Sequence, residues 1–145
     1  MTVVMLPTVA FASSGTTGTA VEYSGDQQPL VFEAAGSPYN VTLDNVTIHA
    51  TDSPAVWIEA GVTVNLTLVG ENSLTGGLGY AGISVEPAYN EEGYDANSSA
   101  KLVISGSGNL TVTGGEGDSV SGLFGGGAGI GGNGQNCDKA QGGVD

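Results

Sequence analysis

The sequence predicts an all-β chain wound as a right-handed parallel β-helix, a solenoid of about 22 residues per coil with inserted loops. Three observations carry that expectation. A phrase repeats: Val69-Gly-Glu-Asn-Ser-Leu-Thr75 returns as Ser105-Gly-Ser-Gly-Asn-Leu-Thr111, each time after an alternating apolar run. A second marker, Ala81-Gly-Ile83, returns as Ala128-Gly-Ile130. The composition is that of strands and corners, with 26 Gly, 6% aromatic residues, and Val, Thr, Ile and Leu in short runs cut by Gly and Asn. A unit that cannot bury its apolar face alone must stack on copies of itself, so a repeat governs the architecture.

The spacing follows from both markers. Leu74 and Leu110 lie 36 positions apart, and between them residues 86–99 show no strand alternation and read as an inserted loop of 14 residues, which leaves a period of 22. Ile83 and Ile130 lie 47 apart and give 22 again once that loop and a Gly-rich one at 117–127 are set aside.

The elements then follow in chain order. Residues 1–12 are apolar and close on Ala10-Phe11-Ala12, the pattern of a partial secretory signal peptide without its basic start, or else of a short apolar segment docked on the core. Residues 13–28 are expected as a linker or N-terminal cap and 29–145 as the β-helix. The Gly-rich stretch Gly125 to Gly143 carries no cap, so the helix is expected to be incomplete at its C-terminal end. Val41 and Leu43, then Val46 and Ile48, supply inward pairs. In the run from Val62 to Leu68, Val62, Val64, Leu66 and Leu68 alternate with Thr63, Asn65 and Thr67, which places the aliphatic side chains on one face. Leu102 and Ile104 are expected where Leu66 and Leu68 stood, and Leu110 where Leu74 stood. Three strands per coil are completed by Val56-Trp-Ile58 or Ile83-Ser-Val85, with Gly-Gly corners at 76–77 and 114–115.

Charge narrows the partners. The formal net charge is -13, with two lysines, no arginine and fifteen acids, whereas phosphate backbones are bound chiefly by clustered Lys and Arg. Nucleic acid and anionic membrane surfaces are therefore not expected partners, and an acidic polysaccharide is repelled unless divalent cations bridge the two. The apolar start is too short to cross a bilayer. Cys137 stands alone and cannot form an internal disulfide. His49 has no Ser or Cys partner in a suggestive motif, and Gly127-Ala-Gly-Ile-Gly-Gly132 lacks the flanking strand and helix of a nucleotide site.

Two places offer ligand chemistry. The inserted loop holds Glu86, Glu91, Glu92 and Asp95, candidate oxygen ligands for calcium, together with Tyr89 and Tyr94, and Tyr80 just precedes it. Tyrosine rings present flat apolar faces to a pyranose ring and a hydroxyl at the edge. A solvated acidic loop whose tyrosines cover the coil edge accounts for the same residues. Trp57, between inward Val56 and Ile58, is expected to point outward as a stacking platform for sugar, or else to be covered by the N-terminal segment through Tyr23 or Phe32.

The run Ala100-Lys-Leu-Val-Ile-Ser-Gly-Ser-Gly-Asn-Leu-Thr-Val-Thr-Gly-Gly115, between Ala81-Gly-Ile-Ser-Val85 and Ala128-Gly-Ile-Gly-Gly132, resembles bacterial cell-surface β-helix proteins. Among these is a carbohydrate-binding domain family of clostridia-like bacteria, related in fold to pectate lyases. The resemblance covers about residues 40–134 and implies extracellular polysaccharide binding or adhesion, often with calcium. Lyases of that fold use Arg or Lys as base. Here Lys101 and Lys139 sit at a strand start and in a terminal loop, and Asp44, Asp52, Glu59 and Glu86 are scattered rather than paired. The expected function is thus a noncatalytic, secreted or cell-surface module that binds a polysaccharide or host glycan. A structural stalk is the alternative, and a lyase or hydrolase with its active site outside these residues comes third.

Overall fold

In the computed structural model, which describes residues 20–118 and 125–134, the chain is all-β. The strands are β1 (Ala20–Gln27), β2 (Leu30–Phe32), β3 (Tyr39–His49), β4 (Val56–Ile58), β5 (Thr63–Val69), β6 (Glu71–Thr75), β7 (Ile83–Val85), β8 (Ala88–Asn90), β9 (Gly93–Asp95), β10 (Lys101–Gly106), β11 (Asn109–Thr113) and β12 (Ile130–Gly131). Two sheets are wholly parallel. One runs β10-β5-β3-β6-β11 with β1 paired to β3, and the other runs β12-β7-β4-β2.

The larger sheet is curled, and its corner explains the curl. Strand β3 pairs with β5 through its first half and with β6 through Thr47–His49, so one long strand spans what the next rung divides into two. The chain turns at Gly25 (φ 69°), Asn45 (φ 54°) and Gly70 (φ 64°), neighbours in the register of three successive rungs, and on the next rung at Gly106 (φ 101°), opposite Leu68. Positive φ at successive rungs bends the sheet at one line, and Asn is among the few non-Gly residues that tolerate it.

Alternation fills the space enclosed by the two sheets. Strand β5 buries Val64, Leu66 and Leu68 and leaves Asn65 and Thr67 outside, and β3 buries Val41, Leu43, Val46 and Ile48. Register stacks like on like: Val41 on Leu66, Ile48 on Leu74, and Leu30 on Val56 on Ile83. Each fully buried aliphatic side chain contributes about 1.5–3 kcal/mol relative to exposure. Phe32 and Tyr39 add a tilted ring pair with centroids 5.0 Å apart, and the Tyr39 hydroxyl donates to the Glu33 carbonyl at 2.8 Å. The rung β10–β11 is less covered: Leu102, Leu110 and Val112 pack partly on the core, while Ile104 is 41% exposed.

Three expectations are corrected. Paired residues lie 20 apart for Val21 and Val41, 25 for Val41 and Leu66, 26 for Leu30 and Val56, and 27 for Val56 and Ile83, so the rungs vary in length on both sides of 22 and keep no single period. Leu102 pairs with Val64, Ile104 with Leu66, and Val112 rather than Leu110 with Leu74, a register two residues from the one expected. A slip of two keeps every side chain on its own face, so apolar alternation alone cannot detect it. The marker from Ile83 to Ile130 does coincide with a strand pairing. Lastly, residues 86–99 are not a plain loop, because β8 and β9 pair antiparallel within them as a hairpin. The signal-like start and Cys137 lie outside the described residues, and of the stretch 13–28 residues 20–27 form β1.

Candidate functional site

Strand β4 buries Val56 and Ile58 and therefore directs Trp57 outward, where it is 37% exposed. Its sheet partners are Val31 and Ser84. Neither residue considered as a cover lies over it. Phe32 is buried against Tyr39, and Tyr23 packs on the core, where burial first and the neighbouring Tyr39 second push its hydroxyl pKa up. The indole Nε1 donates to Glu86 Oε1 at 2.6 Å, a charge-assisted bond that fixes both side chains. Backbone bonds hold Glu86 from two sides, its N–H on the Ile58 carbonyl at 3.0 Å and its own carbonyl receiving the Ala100 N–H at 2.9 Å. Glu86 thus belongs to the sheet face, at the point where the hairpin leaves it.

The hairpin is built by its polar side chains. Asn90 Oδ1 accepts the Glu92 N–H at 2.8 Å, and Gly93 turns the tip with φ 118°. Tyr89 and Tyr94 are then directly opposite, edge to face at 6.1 Å, and exposed by 72% and 64%. Rings left this open are uncommon, and cross-strand aromatic pairs of this geometry favour each other by about 0.5–1.5 kcal/mol. Buried Ser99 ties the base, donating to the Asp95 carbonyl at 2.7 Å and accepting the Ala88 N–H at 2.9 Å. Asp95 turns back on its own loop: its carboxylate accepts Ser98 Oγ at 2.7 Å, the Asn97 N–H at 2.9 Å and the Ser98 N–H at 3.4 Å. The Ser98 hydroxyl bond, then the Asn97 amide, holds its pKa below the ordinary value.

The four acids named for calcium are therefore not brought together. Glu86 is tied to Trp57, Glu91 and Glu92 are exposed at the hairpin tip, and Asp95 is engaged by its loop. Among the described residues no three Asp, Glu, His or Cys side chains form a group able to hold a metal ion. The aromatic residues divide as well. Tyr89 and Glu86 line a cleft of about 490 Å³ whose walls include Ser84, Pro87, Gly132 and Asn133. Tyr80 lies instead on a second cleft of about 270 Å³.

Sequence reasoning missed Ser84 and Asn133. Asn133 Oδ1 accepts the Ala81 N–H at 2.9 Å, which orients its amide and leaves the NH2 as the donor it offers. Asn133 carries no local signal, since its Gly-rich surroundings read as a corner. The first cleft combines an aromatic face, a fixed carboxylate acceptor and an amide donor, with the buried Ser84 in its wall, which together suit a hydroxylated ring with one apolar side.

The molecule is thus an all-β, curled parallel-sheet protein with aromatic and carboxylate side chains displayed on its outer surface. A family model described as Carbohydrate-binding domain-containing protein matches residues 11–123, and the chain belongs to that family. No curated protein and no solved structure matches it.

Proposed function

We propose that this chain is a noncatalytic carbohydrate-binding module, secreted or on the cell surface, whose rungs wind as a right-handed parallel β-helix. Successive in-register parallel rungs with one corner each support the winding, and family membership supports the ligand class. One observation carries the choice of site. The Trp57 indole locks Glu86 at 2.6 Å beside a cleft that Tyr89 also lines, with Tyr94 extending the aromatic surface. Tyr89 offers a stacking face, Glu86 accepts sugar hydroxyls, and Trp57 positions that carboxylate. Glycoside hydrolysis needs a second carboxylate across the scissile bond, and Glu86 is paired with an indole instead. Calcium enters this reading as an ion that the family resemblance implies.

The test is retention on a glycan array and on insoluble polysaccharides. Tyr89→Ala and Trp57→Ala are each expected to weaken binding about tenfold, the equivalent of ~1.4 kcal/mol, with the folded state intact by circular dichroism. Retention by neither the native chain nor any variant would leave the stalk reading, which the regular stacking of the rungs also supports.

A further inference from the structure

We infer that the ligand track continues from the Tyr89 cleft to the Tyr80 cleft, so that the module holds an extended neutral oligosaccharide at two positions. This inference rests on the carbohydrate reading above and names the form of its ligand.

The second cleft has sugar-binding chemistry of its own. It is lined by Thr51, Asp52, Leu78, Gly79, Tyr80 and Gly134. Leu78 is 51% exposed, an apolar surface beside the partly exposed Tyr80 ring. At the same cleft the Thr51 hydroxyl donates to the Asp52 carboxylate at 3.4 Å. An apolar wall with a carboxylate and a hydroxyl beside it matches a pyranose, whose C–H face and equatorial hydroxyls need both. The first cleft presents the same pairing in Tyr89 and Glu86.

The two clefts are bounded by consecutive residues. Gly132 and Asn133 line the first and Gly134, the next residue, lines the second. That segment is fixed along the chain leading into β7: Gly134 N–H donates to the Gly79 carbonyl at 2.7 Å, and Asn133 Oδ1 receives the Ala81 N–H at 2.9 Å. From Tyr80 in one cleft to Ser84 in the other there are four peptide steps, at most about 14 Å of chain. Both clefts therefore lie within the reach of one short oligosaccharide. Each cleft contributes one carboxylate, Asp52 or Glu86, within a chain of net charge -13, so hydroxyl-rich neutral sugars are favoured over uronates. Two linked weak positions raise the affinity of a chain that fills both well above that of one that fills either.

The experiment is calorimetric titration of the full chain with β-1,4-linked gluco-, xylo- and manno-oligosaccharides from monomer to hexamer, and with oligogalacturonides as the acidic counterpart. At least one neutral series is expected to gain about tenfold or more in affinity between dimer and pentamer. Tyr80→Ala, and separately Asp52→Asn at an exposed position, are expected to remove that gain and leave dimer binding unchanged, whereas Tyr89→Ala weakens every length. Affinity independent of length, or a gain that survives both Tyr80→Ala and Asp52→Asn, overturns the two-cleft track while the Tyr89 site stands. Binding of oligogalacturonides in preference to every neutral series overturns the neutral ligand. Absence of binding to any series overturns this inference together with the carbohydrate reading on which it rests.

Discussion

The corner at Asn72 and the hairpin at Asp95 both use a short polar side chain to satisfy backbone groups, but they do so over different distances. Asn72 is 3% exposed; its Oδ1 accepts the Val46 N–H at 2.9 Å, and its Nδ2 donates to the carbonyls of Val69 at 3.0 Å and Asn109 at 3.2 Å. Those partners belong to three successive rungs. Asp95 reaches only Asn97 and Ser98, in its own loop and open to water. Where partners are remote and buried, a side chain holds the stack together. Where they are local and solvated, it shapes one surface feature, and the scaffold is indifferent to it. The ligand chemistry sits at the junction between the two, since Glu86 has its backbone in the sheet and begins the hairpin insertion.

The largest effect that can break this contrast is Asn72→Leu, which keeps the volume and removes the amide. The Val46 N–H and the Val69 and Asn109 carbonyls lose their partner inside the stack, at roughly 1–3 kcal/mol for each group that water does not reach. A loss of about 3–5 kcal/mol is expected in urea or guanidinium unfolding, a large share of the ~5–15 kcal/mol that single domains possess. A loss under about 1 kcal/mol would mean that the corner tolerates orphaned groups, and the distinction between corner and hairpin would fail.

A pair of glycines sharpens the same contrast at smaller scale. A Cβ on Gly115 would lie 1.6 Å from the Gly77 carbonyl oxygen and 2.4 Å from its carbon, so two rungs meet there backbone to backbone. Gly115→Ala forces them apart, at about 1–3 kcal/mol for an overpacked interior. Gly115 N–H also donates to the Tyr80 carbonyl at 2.8 Å, so the same variant is expected to disturb the second cleft before the first. At the hairpin tip, Gly93 has nothing within 4 Å of its added Cβ, and only its φ of 118° resists substitution. Gly93→Ala should therefore strain the hairpin tip alone, at about 1–2 kcal/mol before the exposed tip relaxes, and the two unfolding curves read side by side measure the difference.

Much of the scaffold was legible because alternation is a local signal. Val56, Trp57 and Ile58 declared their faces from sequence alone, and the Ile83 to Ile130 marker coincides with an observed strand pairing. Register was not legible to the residue, since the slip that sets Val112 on Leu74 changes no side chain's face. The hairpin was hidden because each of its strands has three residues, too few for a period, although Tyr-Asn-Glu-Glu-Gly-Tyr places two rings around an Asn and Gly turn. Of the candidate site, the outward Trp57 and the tyrosines were visible as types, but their grouping was not. Glu86 meets Trp57 across 29 positions and Asn133 meets Ala81 across 52, contacts made by the winding of the chain and by no local pattern.

The smallest effect concerns Asp95, and its value lies in being small. The folded-state pKa of this exposed carboxyl is lowered from 3.8, first by the Ser98 hydroxyl and then by the Asn97 amide. A lowered value means that the bonds are fully present above the unfolded value and are lost only as pH falls through the still lower folded one. The amide resonances of Asn97 and Ser98 are therefore expected to stay constant from neutral pH down to the ordinary carboxylate range and to move only below it. Asp95→Ala, which removes the acceptor, should speed hydrogen exchange at those two amides at neutral pH and leave the thermal midpoint where it was, because solvent replaces each lost bond. If the thermal midpoint falls instead, the hairpin carries part of the scaffold, and Tyr89 and Tyr94 would have to be read as members of the fold as well as of the binding surface.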